Sequence, residues 1–326
     1  MSWIDVQAVP TERQTMTRPF AGLKALAVAL VGVLALSACS SANPMGSASA
    51  SAPASSGGMM ATLVIGSQQY YSNEIIAELY AQALEAKGYK ITRQYQIGQR
   101  EVYLPEVEKG AIDVMPEYSG NLLQYYDKKT TAKSATEVTT ALATALPKGL
   151  RPLTASAATD QDAYNVTKAF AAQYGLVSLE DLKKVSGPIK VAANSEFETR
   201  PYGPKGLKSF YGVDVTVVPV EDSGGPLTVK ALKDGTVQLA DIYSADPSIA
   251  ANGFVTLTDP KNMILPQNVV PIVSAKVDDA AAAIIDKVSA ALDTPGLIAL
   301  NAKSVNEQAS SSAIAKAWLT EKGLLS

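Results

Sequence analysis

Two tyrosines in similar surroundings are the first candidates for chemistry in this chain. Tyr118 stands in the stretch DVMPEYSGNLLQYY and Tyr243 in LADIYSADP, each just after a short apolar run. The chain has 14 tyrosines but only 5 phenylalanines. A tyrosine has an apolar face and a polar tip, so it suits a wet cleft better than a dry core. The pattern indicates two rings presented to a bound molecule; the alternative is that each packs under a loop with its hydroxyl in water.

The segments around these two tyrosines resemble each other at an offset of 125 residues. In an open α/β sheet, ligands bind outside the carboxyl ends of the strands. Two similar α/β units that face each other would therefore bring both tyrosines to one cleft. The aligned positions that support the repeat are Ile112 with Val237, Val114 with Leu239, and Ser119 with Ser244.

The elements that must position these rings are short strands and amphipathic helices in alternation. ATLVIGS, KITRQYQI and AIDVM predict strands, and NEIIAELYAQALEAKGY predicts a helix that ends at Gly88. The succession returns later, with PIKVAANS, VDVTVVPV and TVQLADIYS as strands and PKGLKSFYG and PLTVKALKDG as helices. Such alternation indicates mostly parallel sheets flanked by helices. The predicted fold class is α/β, with two units of this kind.

The composition excludes several classes of function. The 326 residues have a net charge of −3 and a pI near 5.3, whereas nucleic-acid binders usually carry a basic face. There is no histidine, so the commonest general base and metal ligand are missing. No spaced acidic loop for calcium and no GxxxxGK[ST] or GxGxxG motif is present. We expect no metal, no cofactor and no nucleic-acid partner.

The stretch EDSGG, from Glu221 to Gly225, is the one motif that suggests an enzyme. It resembles the nucleophile loop of trypsin-like proteases, which needs a histidine to accept the serine's proton. Since none exists and the motif lies between a predicted strand and a predicted helix, Ser223 is not expected to be catalytic. Asp222 or Ser223 is better interpreted as a cap for the helix PLTVKALKDG, and Asp222 as a possible cleft residue.

The amino-terminal segment is typical of a secreted lipoprotein. Arg18 and Lys24 precede the apolar run ALAVALVGVLALSA, which is short for a membrane span and ends in small residues before Cys39. This predicts a signal peptide over residues 1–38, with Cys39, the single cysteine, as the lipidation site. The alternative is a transmembrane anchor. Residues 39–61 are rich in Ser, Ala and Gly, which predicts a flexible tether.

Four separated segments carry a resemblance to a known family. GSQQYYSNEIIAELYAQALEAKGY, LPEVEKGAIDVMPEYSGNLLQYY, EFETRPYGPKGL and ALKDGTVQLADIYSADPSI resemble, in the family's order, substrate-binding proteins of osmoprotectant ABC importers. These bind glycine betaine, choline, carnitine or proline betaine. The resemblance covers roughly residues 62–325. It implies a two-lobed fold of the type II periplasmic binding protein kind, with the ligand cleft between the lobes.

The resemblance also implies roles for individual residues. In the family, aromatic rings surround the trimethylammonium head of the ligand, because a quaternary ammonium donates no hydrogen bond and is attracted to ring faces. Such rings are implied at Tyr118, Tyr164 and Tyr243. Arg200, in EFETR, matches an arginine that holds a ligand carboxylate, and Asp162 matches an acidic residue near the first crossover.

The chain departs from the family pattern at several positions. Gln68 stands where relatives often have a lysine, and Asn121 replaces a threonine, so we expect both as polar contributors. The stretch LPQNVVP lacks the family's fourth ring and has Gln267 or Asn268 there. The missing ring face would come from Tyr70, Tyr71, Phe197 or Tyr202, among which the sequence does not choose. Tyr71 and Phe197 are included in the predicted site, with Arg100 and Asp222 as charged groups.

The resemblance sets the expected lobes. Lobe one would comprise residues 62–158 and 265–326, and lobe two residues 159–264. The crossovers between them would lie near Asp160–Asp162 and Leu265–Asn268.

The sequence therefore predicts an extracytoplasmic solute-binding lipoprotein of an ABC importer, not an enzyme. Its expected partners are a small osmolyte such as glycine betaine or choline, a membrane permease with its ATPase, and the membrane through the lipid on Cys39. The body is expected to be a monomer. Two alternatives stay open: the same fold with an amino acid, polyamine or aromatic ligand, and a lipoprotein without a transport role.

Overall fold

The computed structural model describes residues 62–326, which form strands and helices in alternation. The strands are β1 Thr62–Gly66, β2 Lys90–Gln94, β3 Val114–Tyr118, β4 Leu150–Pro152, β5 Tyr164–Val166, β6 Lys190–Ala193, β7 Thr216–Pro219, β8 Leu239–Asp241, β9 Val255–Thr256 and β10 Val269–Ser274. The α-helices are α1 Tyr71–Glu85, α2 Arg100–Glu108, α3 Ser119–Tyr126, α4 Ala135–Ala145, α5 Lys168–Tyr174, α6 Pro204–Tyr211, α7 Pro226–Lys233, α8 Ser248–Ala251, α9 Asp279–Ala291, α10 Thr294–Glu307 and α11 Ser311–Glu321. Two 3-10 helices cover Leu179–Lys184 and Ser195–Thr199.

The strands form two five-stranded sheets with matching arrangements. The first has the order β2-β1-β3-β10-β4 and the second the order β7-β6-β8-β5-β9. In each sheet the first three strands are parallel and the fourth runs antiparallel to its neighbours. We call the first sheet with its helices lobe one and the second sheet with its helices lobe two. The predicted α/β fold with two similar lobes is confirmed.

Each sheet is covered on both faces because its strands alternate apolar side chains between the faces. In β1, Leu63 and Ile65 pack into the core beneath α1, α9, α10 and α11, whereas Val64 points into the core beside α2, α3 and α4. In lobe two, Val191 and Ala192 divide in the same way between two cores. Helices on both faces of a sheet leave its strand ends as the place where a ligand can approach.

Strand β3 is longer than the sequence predicts. The apolar run AIDVM suggests a strand that stops at Met115, but the strand continues through Tyr118, where Tyr118 pairs with Val269 of β10. Pro116 lies opposite Pro271 in this antiparallel ladder, so two residues that lack an N–H face each other. Tyr118 is therefore the last residue of its strand, whereas the sequence predicts that it lies beyond the strand end.

Two chain segments cross between the lobes side by side. Thr159 and Asn268 form an antiparallel bridge, and the Asp160 N–H donates to the Gln267 carbonyl at 3.3 Å. Gly120 at the start of α3 packs against this crossing, since a Cβ there would lie 2.6 Å from the Pro266 carbonyl oxygen. Within residues 62–326, no helix has the length and apolar character needed to cross a membrane.

Candidate ligand-binding site

A cavity of about 440 Å³, including the part open to solvent, lies between the two lobes at the carboxyl ends of their strands. Gln68 follows β1, Tyr118 ends β3, Asn194 follows β6, and Tyr243 follows β8 by two residues. The cavity is lined by Gln68, Tyr70, Gln99, Arg100, Tyr118, Asn121, Asp160, Asp162, Asn194, Glu196, Phe197, Arg200, Tyr202, Asp241 and Tyr243.

Three tyrosine rings from both lobes meet in this cavity. Tyr70, directly before α1, lies with its ring centroid 6.4 Å from that of Tyr118, and the two ring planes differ by 25°. The ring of Tyr243 meets Tyr70 edge to face, with centroids 5.1 Å apart and planes at 70°. The rings contact one another, and a cation is attracted to any of their faces that is open to the cavity. We call Tyr70, Tyr118 and Tyr243 the tyrosine cluster.

A second aromatic wall belongs to lobe two alone. Phe197 and Tyr202 line the cavity with ring centroids 5.9 Å apart. Tyr164 lies behind this wall, 5.6 Å from Phe197, and its hydroxyl donates to the Tyr202 carbonyl at 2.6 Å. It is 1% exposed and belongs to the lobe two core. The structure therefore places Tyr164 as a support for the wall, not among the residues that line the cavity.

Four carboxyl groups line the cavity, and each accepts hydrogen bonds from uncharged donors. Asp160 accepts from the Ala245 N–H at 2.9 Å and Asp162 from Asn121 Nδ2 at 2.6 Å. The other two accept at 3.0 and 3.2 Å: Asp241 from the Ala163 N–H, and Glu196 from Asn194 Nδ2.

Burial and mutual proximity raise the pKa values of three of these groups. Burial, with Asp246 and Asp162 nearby, raises the pKa of Asp160 to about 7. Burial and the adjacent Asp162 raise the pKa of Asp241 well above its usual range, and burial raises that of Glu196. The cavity is thus a region where negative charge is poorly compensated.

The two arginines of the cavity are each engaged by a glutamate that does not line it. Arg100 donates through Nε and Nη2 to Glu117 at 3.1 and 2.7 Å. Arg200, from lobe two, donates through both Nη atoms to Glu101 of α2, at 2.7 and 3.1 Å. Both pairs are bidentate, the geometry in which arginine and carboxylate bind most firmly. Arg200 therefore joins the lobes, and its terminal nitrogens are not turned to the cavity as a free carboxylate site.

Two buried polar atoms in the cavity wall have no hydrogen-bond partner within the described part of the chain. They are Nε2 of Gln68 and the hydroxyl of Tyr118, on side chains that are each 3% exposed. Buried polar groups in native proteins are almost always paired. These unpaired donors in the cavity wall are available to form hydrogen bonds with a ligand.

The structure brings together eight of the eleven predicted ligand contacts: Gln68, Arg100, Tyr118, Asn121, Asp162, Phe197, Arg200 and Tyr243. Tyr164, as described, lies behind the wall. Tyr71 points to a separate groove and donates to Asp246 Oδ2 at 2.8 Å. Asp222 accepts from the Leu227 N–H at 2.6 Å, so it caps α7 as predicted and does not line the cavity. Cys39 lies outside the described residues.

Five of the lining residues were not predicted as candidate site residues: Gln99, Asp160, Asn194, Glu196 and Asp241. Glu196 is the first residue of the EFETR motif, Asn194 lies two residues before it, and Asp241 lies two residues before Tyr243. Each lies within three residues of a predicted site residue. Their positions in the sequence could have indicated them, because polar as well as aromatic residues at the carboxyl end of a parallel strand are candidates for ligand binding.

Ser223 is a junction between the lobes. Its Oγ lies 2.9 Å from Gln69 Nε2 and 3.3 Å from Gln99 Nε2, both of lobe one, and 3.0 Å from Asn194 Nδ2. Its backbone has φ of 54°, and the next residue, Gly224, has φ of 80° and lies against the Asp241 carbonyl. With amide donors around it and no base, Ser223 fixes the turn before α7.

Comparison with known proteins identifies similar chains over the same range. The profile of the family OpuAC, described as the substrate binding domain of ABC-type glycine betaine transport system, matches residues 61–321. The glycine betaine-binding protein YehZ of Escherichia coli (strain K12) is 26% identical over 275 residues, covering 79% of this chain and 90% of that protein. A glycine-betaine-binding protein of Pseudomonas aeruginosa is 26% identical over 279 residues, covering 81% of this chain and 89% of its own.

Solved structures show the same fold. The crystal structure of a glycine betaine/carnitine/choline ABC transporter has a TM-score of 0.66 at 22% identity and covers 81% of this chain and 100% of its own. Lactococcal OpuAC, closed and complexed with glycine betaine, has a TM-score of 0.59 at 15% identity and covers 81% of this chain and 97% of its own.

Proposed function

Since the chain belongs to the family of substrate-binding domains of ABC-type glycine betaine transport systems, we propose that its interlobe cavity captures a quaternary-ammonium osmolyte and delivers it to a membrane permease. The observation that carries this proposal is the tyrosine cluster, in which Tyr118 of lobe one and Tyr243 of lobe two face one cavity together with Tyr70.

The chemistry of the cluster suits such a ligand. A trimethylammonium group has no N–H, so it cannot be recognised by hydrogen-bond acceptors, but it is attracted to ring faces. Each well-placed and desolvated ring contributes about 0.5–2 kcal/mol. Phe197 and Tyr202 extend the aromatic surface, and the nearby carboxyl groups favour a positive charge.

Ligand binding would favour the closed arrangement of the lobes. The contacts that join the lobes around the cavity are polar: Arg200 with Glu101, Tyr71 with Asp246, and the amides around Ser223. A ligand that needs rings from both lobes binds the closed state better than the open one, and its differential affinity shifts the population. The closed form is then what a permease and its ATPase would receive.

Calorimetric titration of the full chain with glycine betaine, choline, carnitine and, for comparison, arginine and putrescine tests the proposal. A Cys39→Ala variant keeps the protein free of lipid for this purpose. We expect at least one quaternary ammonium to bind with a dissociation constant below that of every primary amine. If the amino acid or polyamine binds best, the transport role stands with a different solute; if nothing binds, the solute-capture proposal is wrong.

The anchoring of the protein is a second part of the proposal. Residues 1–38 would be removed as a signal peptide, lipid would be attached to Cys39, and residues 39–61 would tether a monomeric body to the extracytoplasmic face of the membrane. The lobe boundaries follow the sheets: residues 62–158 and 265–326 for lobe one, and 159–264 for lobe two. The bridge between Thr159 and Asn268 supports this division.

Replacing Cys39 by alanine is expected to release the protein from the membrane fraction of its cells, because the thiol is the only site for the lipid. Fractionation followed by mass spectrometry of the amino-terminal peptide measures both the location and the lipid. Ser40→Ala is the matched control and should stay with the membrane. Equal membrane retention of both variants would show that something other than a lipid on Cys39 holds the protein.

A further inference from the structure

We propose that the cavity selects a ligand with a net positive charge and no carboxylate, a choline-like cation, over a zwitterionic betaine. This inference rests on the proposed function and narrows its substrate class. It comes from the charge balance of the cavity wall.

The negative charges of the wall have no cationic partner. Asp160, Asp162, Asp241 and Glu196 occur in no ion pair among the residues that the structure describes. Their hydrogen-bond donors are amides and hydroxyls, all neutral. A buried carboxylate without a counter-ion is unfavourable. A cation held among these groups would supply the missing partner.

The positive charges of the wall are already satisfied. Arg100 lies 5% exposed with its guanidinium on Glu117, and Arg200 has both terminal nitrogens on Glu101. Neither glutamate lines the cavity, and each one occupies one edge of an arginine that does. A ligand carboxylate would have to share an arginine with a bound glutamate, and it would lie near the carboxyl groups of the same wall. Both conditions disfavour a zwitterion.

The free donors of the wall can bind an oxygen atom of the ligand. Gln68 Nε2 and the Tyr118 hydroxyl are buried and unpartnered within the described residues. The hydroxyl oxygen of choline can accept from one of them without adding a negative charge to the cavity. The tyrosine cluster would hold the opposite, trimethylammonium end.

Proton release on ligand binding is a second measurable consequence of the proposed preference for a cation. Because the pKa of Asp160 is about 7 and that of Asp241 is raised well above its usual range, the ligand-free cavity holds protons near neutral pH. A bound cation favours the ionised carboxylates, so protons pass to the buffer and affinity rises as pH increases through 7. A zwitterion, whose two charges offset each other, releases fewer protons.

Polar and titratable groups surround both carboxyl groups. The groups that face Asp160 are Ser72, the Ala245 N–H, Asp162, Asp246, Tyr70, Tyr71 and Tyr118. The groups that face Asp241 are the Ala163 N–H, Asp162, Glu196, Tyr164, Tyr202 and Tyr243.

Calorimetry with choline chloride and with glycine betaine, on the full chain bearing Cys39→Ala, tests the inference. Runs at pH 6 and pH 7.5 in two buffers of different ionisation enthalpy give both affinities and proton counts. We expect choline to bind at least about tenfold more tightly than glycine betaine at pH 7.5, with net proton release. One tenfold step in affinity corresponds to about 1.4 kcal/mol.

Variants of the carboxyl groups keep the test independent of folding. Glu196→Gln, at a half-buried position, and Asp162→Asn should each weaken choline binding by about tenfold and change betaine binding less. Glu198→Gln, an exposed carboxylate in the same 3-10 helix, is the matched control and should leave both affinities unchanged. Glu101→Gln frees Arg200 for a ligand carboxylate and should shift the preference toward betaine.

The outcomes separate the two proposals. Betaine binding as tightly as choline, or more tightly, would overturn the cation preference while the capture of a quaternary ammonium stands. Equal effects of Glu196→Gln on both ligands would also overturn the preference. Binding of neither ligand would remove the proposed function and this inference with it.

Discussion

Replacing Tyr243 by leucine is expected to weaken binding of the quaternary-ammonium ligand by about 10- to 100-fold. Leucine keeps an apolar side chain of similar reach but removes the ring face that attracts the cation. The tenfold limit corresponds to about 1.4 kcal/mol, within what one desolvated ring contributes. Tyr243 is suited to the test because it is only partly buried, whereas Tyr118 belongs to the lobe one core.

Two further variants make the Tyr243 result specific. Tyr243→Phe keeps the ring and should bind within about threefold of the parent, since the attraction belongs to the face and not to the hydroxyl. Tyr126→Leu removes a half-buried tyrosine that bonds Glu108 away from the cavity, and it should leave affinity unchanged. Calorimetry measures all three. Equal affinities for Tyr243→Leu and the parent would show that Tyr243 does not hold the cation.

Ligand-free protein should also show a pH signature of Asp160. Its folded pKa of about 7 lies above the ordinary aspartate value near 3.9, so the folded chain binds more protons between these values. The free energy of unfolding therefore falls as pH rises through this window. Relative to Asp160→Asn, the parent should lose about 2 kcal/mol between pH 5 and pH 7. Urea unfolding at both pH values measures this; parallel pH profiles of the two proteins would contradict it.

The fold could be predicted from the sequence because the patterns that indicate its strands and helices are local. Apolar runs closed by glycine, as at Gly88, fixed the alternation of strands and helices, and the repeat around Tyr118 and Tyr243 predicted two similar lobes. The family, the two-lobed fold and the exclusion of an enzyme are confirmed. The carboxyl-terminal helices α9, α10 and α11, which cover the first sheet, were not predicted individually.

The site could be predicted only in part, because burial decides which side of a strand end faces the cavity. Tyr118 and Tyr243 follow from their places at strand ends. Tyr164 does not line the cavity, because β5 directs its ring into the lobe two core and Tyr202 covers it. The pairing of Arg200 with Glu101 joins residues 99 positions apart in two lobes, and no local pattern reveals such a contact.

The buried pair of Arg100 and Glu117 gives the largest expected effect on stability. Glu117 is fully buried; it accepts two hydrogen bonds from Arg100, one from the Tyr103 hydroxyl and one from the Tyr118 N–H. Glu117→Gln leaves the guanidinium of Arg100 buried without an anion. Removing one partner of a buried pair costs about 3–5 kcal/mol, because the remaining charge is uncompensated. Urea unfolding at pH 7 should show this as a lower midpoint with an unchanged slope.

Two comparisons distinguish an uncompensated charge from general damage. Glu106→Gln breaks the exposed pair with Lys109 and should cost less than about 1 kcal/mol. Arg100→Met combined with Glu117→Gln removes both partners and should recover part of the loss. A loss below about 1 kcal/mol in Glu117→Gln would show that Arg100 finds another anion or reaches solvent. Because Glu117 also accepts from the Tyr118 backbone, the single variant should weaken ligand binding as well, which links the stability of lobe one to the position of its ring in the cavity.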